Sequence, residues 1–143
     1  MIIKAKKADL KEIARLMKTE LAKPPFNERD KLESIIKSLK FYFKLGKIYI
    51  AKEKNEIIGV IVFKKEQFWE GGVIIIEDLV IKNEFRGKGI GKNLLDYVKD
   101  SAKKEKIKSI LFTTNRKSGA IEFYKKLGYK IEKDKIYMRM DLK

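Results

Sequence analysis

Residues 73–95 restrict the fold more than any other part of the chain. VIIIEDLVI is apolar on both faces apart from Glu77 and Asp78, the pattern of a central strand covered from two sides. It leads directly into EFRGKGIGKNLL, where glycines at 87, 89 and 91 precede Ile90, Leu94, Leu95, Val98 and Ala102 at helical spacing. A buried strand, a glycine turn and an amphipathic helix in immediate succession require a sheet with a helix laid on it by one face.

The rest of the chain supplies the remaining layers. IIKA reads as a short strand, and Asp9 with Glu12 resembles a capping box opening a helix that carries Leu10, Ile13, Ala14, Met17 and Leu21 on one side. KPPFN stops that helix. A second helix is expected from about Glu28, with Leu32, Ile35, Ile36, Leu39 and Phe43 as its stripe and Gly46 as its end. KIYIAKE and EIIGVIVFKKEQF follow as a hairpin around KNE. After the glycine helix come a strand KSILFTT, a short helix GAIEFYKKLG ended by Gly128, and a strand pair in YKIEKDKIYMRMDL turning near Asp134. The order β-α-α-β-β-β-α-β-α-β-β predicts a single α/β (α+β) domain over residues 1–143. Its sheet is mixed and mostly antiparallel, with about seven strands flanked by about four helices.

The 143 residues contain no cysteine and no histidine, which removes disulfides, thiolate nucleophiles, serine triads and the common zinc sites. No metal is expected. Proton transfer is left to carboxylates, tyrosine, lysine, water or backbone. The formal charge of +15, from 35 Lys and Arg against 20 Asp and Glu, attracts nucleic acid, acidic membrane or a polyphosphate cofactor without choosing among them. No apolar run approaches the roughly 20 residues of a membrane span, and MIIKAKKADL lacks the apolar core of a secretory signal, so a cytoplasmic protein is expected.

Two phosphate motifs fail at the glycines. A P-loop needs glycine at 86, where arginine stands, and Ser or Thr at 93, where asparagine stands; a dinucleotide fingerprint starting at Gly87 meets Lys92 instead of glycine or alanine. What remains is Arg86-x-x-Gly89-x-Gly91 between a strand and a helix start. Without Cβ atoms the amides turn toward one point, and the first N–H groups of the helix add partial positive charge there, an arrangement suited to pyrophosphate with Lys88 and Lys92 at the rim. A tight connection needing glycine only for its backbone angles uses the same residues.

EDLVIKNEFRGKGIGKNLL followed by NRKSGAIEFYKKLGY resembles the two signature segments of the GCN5-related N-acetyltransferase (GNAT) superfamily, and the order of elements matches along the whole chain. The resemblance implies an N-acetyltransferase moving acetyl from acetyl-CoA to an amine. It implicates Arg86, Gly87, Lys88, Gly89, Ile90 and Gly91 in holding the pyrophosphate of the cofactor. It also implies that Leu79, Val80 and Ile81 pair with the pantetheine arm, with a backbone N–H near Leu79 or Val80 meeting the oxyanion. Tyr124 matches the family's general acid. Asn115 matches a residue that bonds the pantetheine arm, although it stands five positions before Ala120, where many members have it three before; Lys117 fills that nearer position, and Arg116 or Lys117 is the alternative, toward a phosphate.

Acetyl transfer to an alkylamine, mostly protonated at neutral pH, needs a base. Glu77, in an otherwise apolar strand, is the first candidate, because burial raises a carboxylate toward the working range. Asp78 is expected on the opposite face by strand alternation and is assigned to substrate binding. Both carboxylates also suit a structural role at a strand bulge. In the family, the acceptor pocket involves the first two helices, their connection and the loop after the third strand, which here offer Phe26, Phe68 and Trp69 with Glu28, Asp30, Glu66 and Glu70, a set suited to a cationic amine. The expected partner is therefore a small-molecule or peptide amine, and a homodimer is possible. Two other readings stand beside this one: a basic nucleic-acid-binding domain, against which the lysines are spread over nearly every element, and a sensor that binds acetyl-CoA without turnover.

Overall fold

A computed structural model describes residues 1–142. The strands are β1 (Ile2–Lys4), β2 (Lys47–Glu53), β3 (Glu56–Phe68), β4 (Gly71–Ile81) and β5 (Ser109–Leu111), and the helices are α1 (Leu10–Leu21), α2 (Leu32–Leu45), α3 (Ile90–Lys104) and α4 (Ile121–Lys126). They form one mixed sheet in the order β1-β2-β3-β4-β5. Each neighbouring pair is antiparallel except β4 and β5, which are parallel. The α/β class and the order of elements through α4 agree with expectation.

Strand alternation divides the core into two layers. Val60 and Val62 of β3, with Val80 of β4, meet Leu10, Ile13, Met17 and Leu39 of α1 and α2 on one face. Ile61 and Phe63, with Ile74 and Ile76, meet Leu94, Leu95, Val98 and Ala102 of α3 on the other. Leu94 has no exposed surface, so Leu94→Ala would leave a cavity and cost about 2–5 kcal/mol. At Gly59 a Cβ would come within 2.9 Å of Ile81 and 3.3 Å of Ile90, so the bare backbone lets α3 lie close to the sheet.

Several local expectations change. Helix α2 begins at Leu32 and not near Glu28; residues 28–31 form a bridge in which the Glu28 N–H donates to the Leu21 carbonyl at 2.9 Å. The expected capping box does not form around α1. Asp9 accepts from the Lys6 N–H at 2.8 Å, and Glu12 reaches across to accept from the Ile57 N–H at 2.8 Å, tying α1 to the start of β3. Gly46 does close α2, its N–H donating to Tyr42 at 2.8 Å. The sheet has five strands among the described residues rather than about seven, because residues 129–142 form no strand pair. Alternating apolar side chains make a segment fit for a sheet; they do not supply the neighbouring edge that completes its hydrogen bonds.

Candidate functional site

The parallel pairing of β4 with β5 runs from Val73↔Ser109 to Ile75↔Leu111 and stops. From Ile76 to Ile81 the outer edge of β4 has no strand beside it among the described residues, although its inner edge remains paired to β3. Leu79, Val80 and Ile81 lie on this open edge. Their backbone groups are therefore available to an extended, peptide-like ligand.

Beyond the edge, a single 3₁₀ turn at Asn83–Phe85 brings the chain to the glycines. Gly87 and Gly89 take φ values of +75° and +83°, in the left-handed region that glycine adopts without strain, and a Cβ at either would meet nothing within 4 Å. Space therefore remains over the main chain at both positions. Gly89 is the N-cap of α3 and no side chain caps it, so the first N–H groups of the helix at Ile90, Gly91 and Lys92 point toward this space unclaimed. Backbone donors, a helix N-terminus and empty volume together fit a pyrophosphate.

The cations around this cradle are differently placed. Arg86 turns away from it: its Nη2 meets Glu20 at 2.7 Å and its Nε donates to the Ile81 carbonyl at 3.1 Å. Glu20 is buried on α1 and also holds Lys23 at 3.1 Å. Arg86 thus fastens the glycine loop to α1, and its backbone is what remains for a ligand. Lys88 stands over the Phe85 ring at 5.3 Å, and Lys92 pairs with Asp96 at 2.6 Å.

On β4 the alternation fails once, with large consequences. Val62 is paired with Asp78 while Phe63 is paired with Ile76, so Glu77 is the extra residue of a β-bulge. The bulge returns Glu77 and Asp78 to the same face of the sheet, the face covered by α1 and α2, correcting the expectation that they point to opposite sides. Glu77 meets Lys64 at 3.4 Å, and it lies close enough to Tyr42 to help raise the phenol above its usual range, after burial. Asp78 goes inward and lines a cavity of about 250 Å³ between α1, α2 and β4, with Met17, Leu39 and Tyr42 forming apolar walls and Glu28 and Asp30 at its side. Burial pushes the Asp78 carboxyl up to about 7, helped by the negative charges of Glu28 and Glu77. Glu28 is raised as well, by burial and then by Asp30. Three clustered carboxylates resist sharing their charge, which is the setting in which a cation is welcome.

Tyr124 lies on the other face of the sheet. Its ring packs against Phe112 at 4.6 Å and Phe123 at 5.3 Å, and burial raises its hydroxyl above the usual phenol range, so it stays protonated in neutral solution. Asn115 is in the loop between β5 and α4, its Oδ1 accepting from the Lys117 N–H at 2.8 Å in a local turn; both residues are exposed. Phe26 is in the turn after α1, near the cavity's Glu28 along the chain and partly exposed. Phe68 and Trp69 are not brought to the cavity. Phe68 pairs with Gly71 at the tip of the β3–β4 hairpin, six residues along β3 from the partner of Asp78 and so roughly 20 Å away, and Trp69 is fully exposed.

Tyr42, Lys64 and Glu20 escaped the sequence reading. Glu20 carried a usable signal, since it falls in the helical register of Ile13 and Met17, where a charge is out of place unless paired. Tyr42 and Lys64 carried none, because only the bulge brings Glu77 to them.

Comparison with known proteins agrees with this architecture. The chain is 37% identical over 82 residues to the Bacillus subtilis protein YxbD, covering 57% of this chain and 48% of that one. It spans about half the length of the curated relatives it matches. A Clostridium difficile 630 protein described as a possible acetyltransferase superposes with a TM-score of 0.88 at 21% identity, over 100% of this chain and 98% of the other. A predicted acetyltransferase of Clostridium acetobutylicum, crystallised with acetyl-CoA, superposes with a TM-score of 0.79 at 20% identity, over 97% and 95% of the two chains. The sequence model of the acetyltransferase (GNAT) family matches residues 10–129, and the chain belongs to that family.

Proposed function

We propose that this chain is an acetyl-CoA-dependent N-acetyltransferase whose acceptor is a cationic amine entering through the cavity between α1, α2 and β4. The observation that carries the reading is Asp78, a carboxyl poised at about 7, lining that cavity on the strand whose open edge runs on to the anion cradle. Glu28 and Asp30 concentrate negative charge at the cavity in a protein that is otherwise strongly positive, so an ammonium group finds attraction locally.

The residues divide the work by chemistry. Acetyl-CoA, when bound, supplies an acetyl group activated as a thioester. The amides of Gly87, Lys88, Gly89, Ile90 and Gly91 hold its pyrophosphate, and Leu79, Val80 and Ile81 offer backbone hydrogen bonds to its pantetheine arm. Unpaired N–H groups near Leu79 and Val80 are the donors for the acetyl oxygen as charge develops on it. Asp78 accepts the proton that the attacking ammonium must lose, a transfer made favourable by a carboxylate whose pKa lies near working pH. Glu77, held by Lys64, tunes Asp78 through its charge. Tyr124, protonated and on the far face of the opening beside β4, donates to the departing thiolate.

Release of free thiol from acetyl-CoA, followed against a panel of polyamines, lysine-containing peptides and aminoglycosides, tests the proposal. Turnover is expected with at least one cationic amine, rising as pH increases through about 7. Thermal stabilisation by acetyl-CoA with no thiol release for any amine would establish a sensor instead.

A further inference from the structure

Residues 131–142 have the sequence of a strand and none of its partners. Ile136, Met138, Met140 and Leu142 recur at every second position and are 82%, 81%, 82% and 88% exposed, with Tyr137, Arg139 and Asp141 between them. No described residue pairs with this backbone; its one internal contact is an ion pair of Arg139 with Asp141 at 2.6 Å. Four large apolar side chains at period two are what one face of a half-buried strand requires, and leaving them in water forfeits their transfer free energy.

The same chain carries a vacant edge. Among the described residues β5 ends the sheet, paired only to β4, with Leu111 41% exposed. Beside it lies an open groove of about 540 Å³ with Ile107, Ile110, Leu127 and Tyr129 as its apolar floor and Lys99 and Lys103 at its rim. An unpaired edge next to an apolar groove is a template for one more strand.

We infer that residues 135–142 of one copy of this chain add as a strand to the β5 edge of a second copy, and reciprocally, giving a two-fold exchanged dimer. Reciprocity selects the occupant. Each copy offers one free strand and one free edge, so two copies satisfy both needs at once, whereas an unrelated partner on β5 would leave this chain's own apolar segment in water. The segment runs clear of its own β5 in the folded chain, leaving that edge open to the other copy. The added strand lies against the region of Tyr129, whose ring meets Phe112 and Tyr124, so the exchange also braces the helix that carries Tyr124. Because each copy carries a formal charge of +15, repulsion opposes the pairing, and added salt strengthens it by screening.

Light scattering after size exclusion of the full chain is expected to give twice 16.8 kDa, with the dimer fraction growing between low and moderate salt. Replacing Met138→Lys and Met140→Lys together should give a monomer with unchanged helical circular dichroism. Because the chain has no cysteine, the pairing itself is readable. A chain with Leu111→Cys and a differently tagged chain with Tyr137→Cys, co-expressed and treated with a flexible bis-maleimide, should yield a cross-linked product bearing both tags. A monomeric wild-type mass overturns the inference. So does a dimer in which Leu111→Cys and Tyr137→Cys cross-link only when both are on one chain, the signature of a segment folded back on its own edge.

Discussion

The two regions proposed to meet donor and acceptor are built by opposite means. The anion cradle is made of backbone: Gly87 and Gly89 remove side chains, the start of α3 contributes N–H groups, and the arginine of the motif is drawn off to Glu20. The acceptor cavity is made of side chains delivered by three separate elements, and its central carboxylate reaches it beside a one-residue bulge. A backbone site tolerates almost any change that spares its conformation, whereas a side-chain site is sensitive to the identity of each contributor.

Substitutions can break that contrast, starting with the cradle. Gly89→Glu places a carboxylate where an anion is to sit and forces a residue with a side chain into a left-handed conformation; like-charge juxtaposition costs several kcal/mol, so acetyl-CoA affinity should fall about a thousandfold by calorimetry. Retained affinity would mean that the glycines serve only the turn. In the cavity, Asp78→Asn should lower kcat by about a hundredfold or more while leaving acetyl-CoA affinity unchanged, and should flatten the rise of rate through pH 7. Glu77→Gln should keep that rise and move its midpoint downward, because one negative neighbour of Asp78 is gone. The reverse pattern would transfer the base to Glu77.

The same Asp78 makes a stability prediction. Its folded pKa lies above its unfolded one, so its share of stability is full below about pH 4 and lost as pH rises through about 7. Asp78→Asn should therefore melt at a higher temperature than wild type at pH 8, the two curves converging toward pH 4 in differential scanning calorimetry. Tyr124→Phe removes a proton donor and no packing, so turnover should fall roughly tenfold to a hundredfold with the melting temperature nearly unchanged. The smallest effect should come from Glu28→Gln, a severalfold rise in KM for a cationic acceptor that shrinks at high salt, with kcat preserved.

Much of the fold could be read directly. The α3 stripe of Leu94, Leu95, Val98 and Ala102 is buried as its spacing requires, and β4 is the central strand that its two-faced apolarity demands. Positions of Gly87, Gly89 and Gly91 between strand and helix were legible because local backbone geometry follows from local sequence. Trp69 illustrates the opposite case. Its aromatic and acidic surroundings suited an amine pocket, yet the length of the β3–β4 hairpin carries it to the tip, a position determined by strand registration rather than composition.

The alternating residues of 136–142 were read as part of a strand pair, and in the folded chain they stand alone. Periodicity describes what a segment needs from its neighbours and is silent on whether the neighbours arrive. The bulge at Glu77 is the same lesson on a smaller scale, since one inserted residue reverses the face of every side chain beyond it and the insertion exists only relative to β3.

By itself, then, the sequence determined the element order through α4, the bare-backbone turn ahead of α3 and the exclusion of histidine and cysteine chemistry, because each depends on residue types and short-range spacing. Tertiary structure alone decided that Glu77 and Asp78 share a face, that Glu20 claims Arg86, and that Asp78 is buried beside Glu28 with a carboxyl poised at about 7. Those outcomes rest on strand register, helix packing and desolvation, which bring together groups tens of residues apart in the chain.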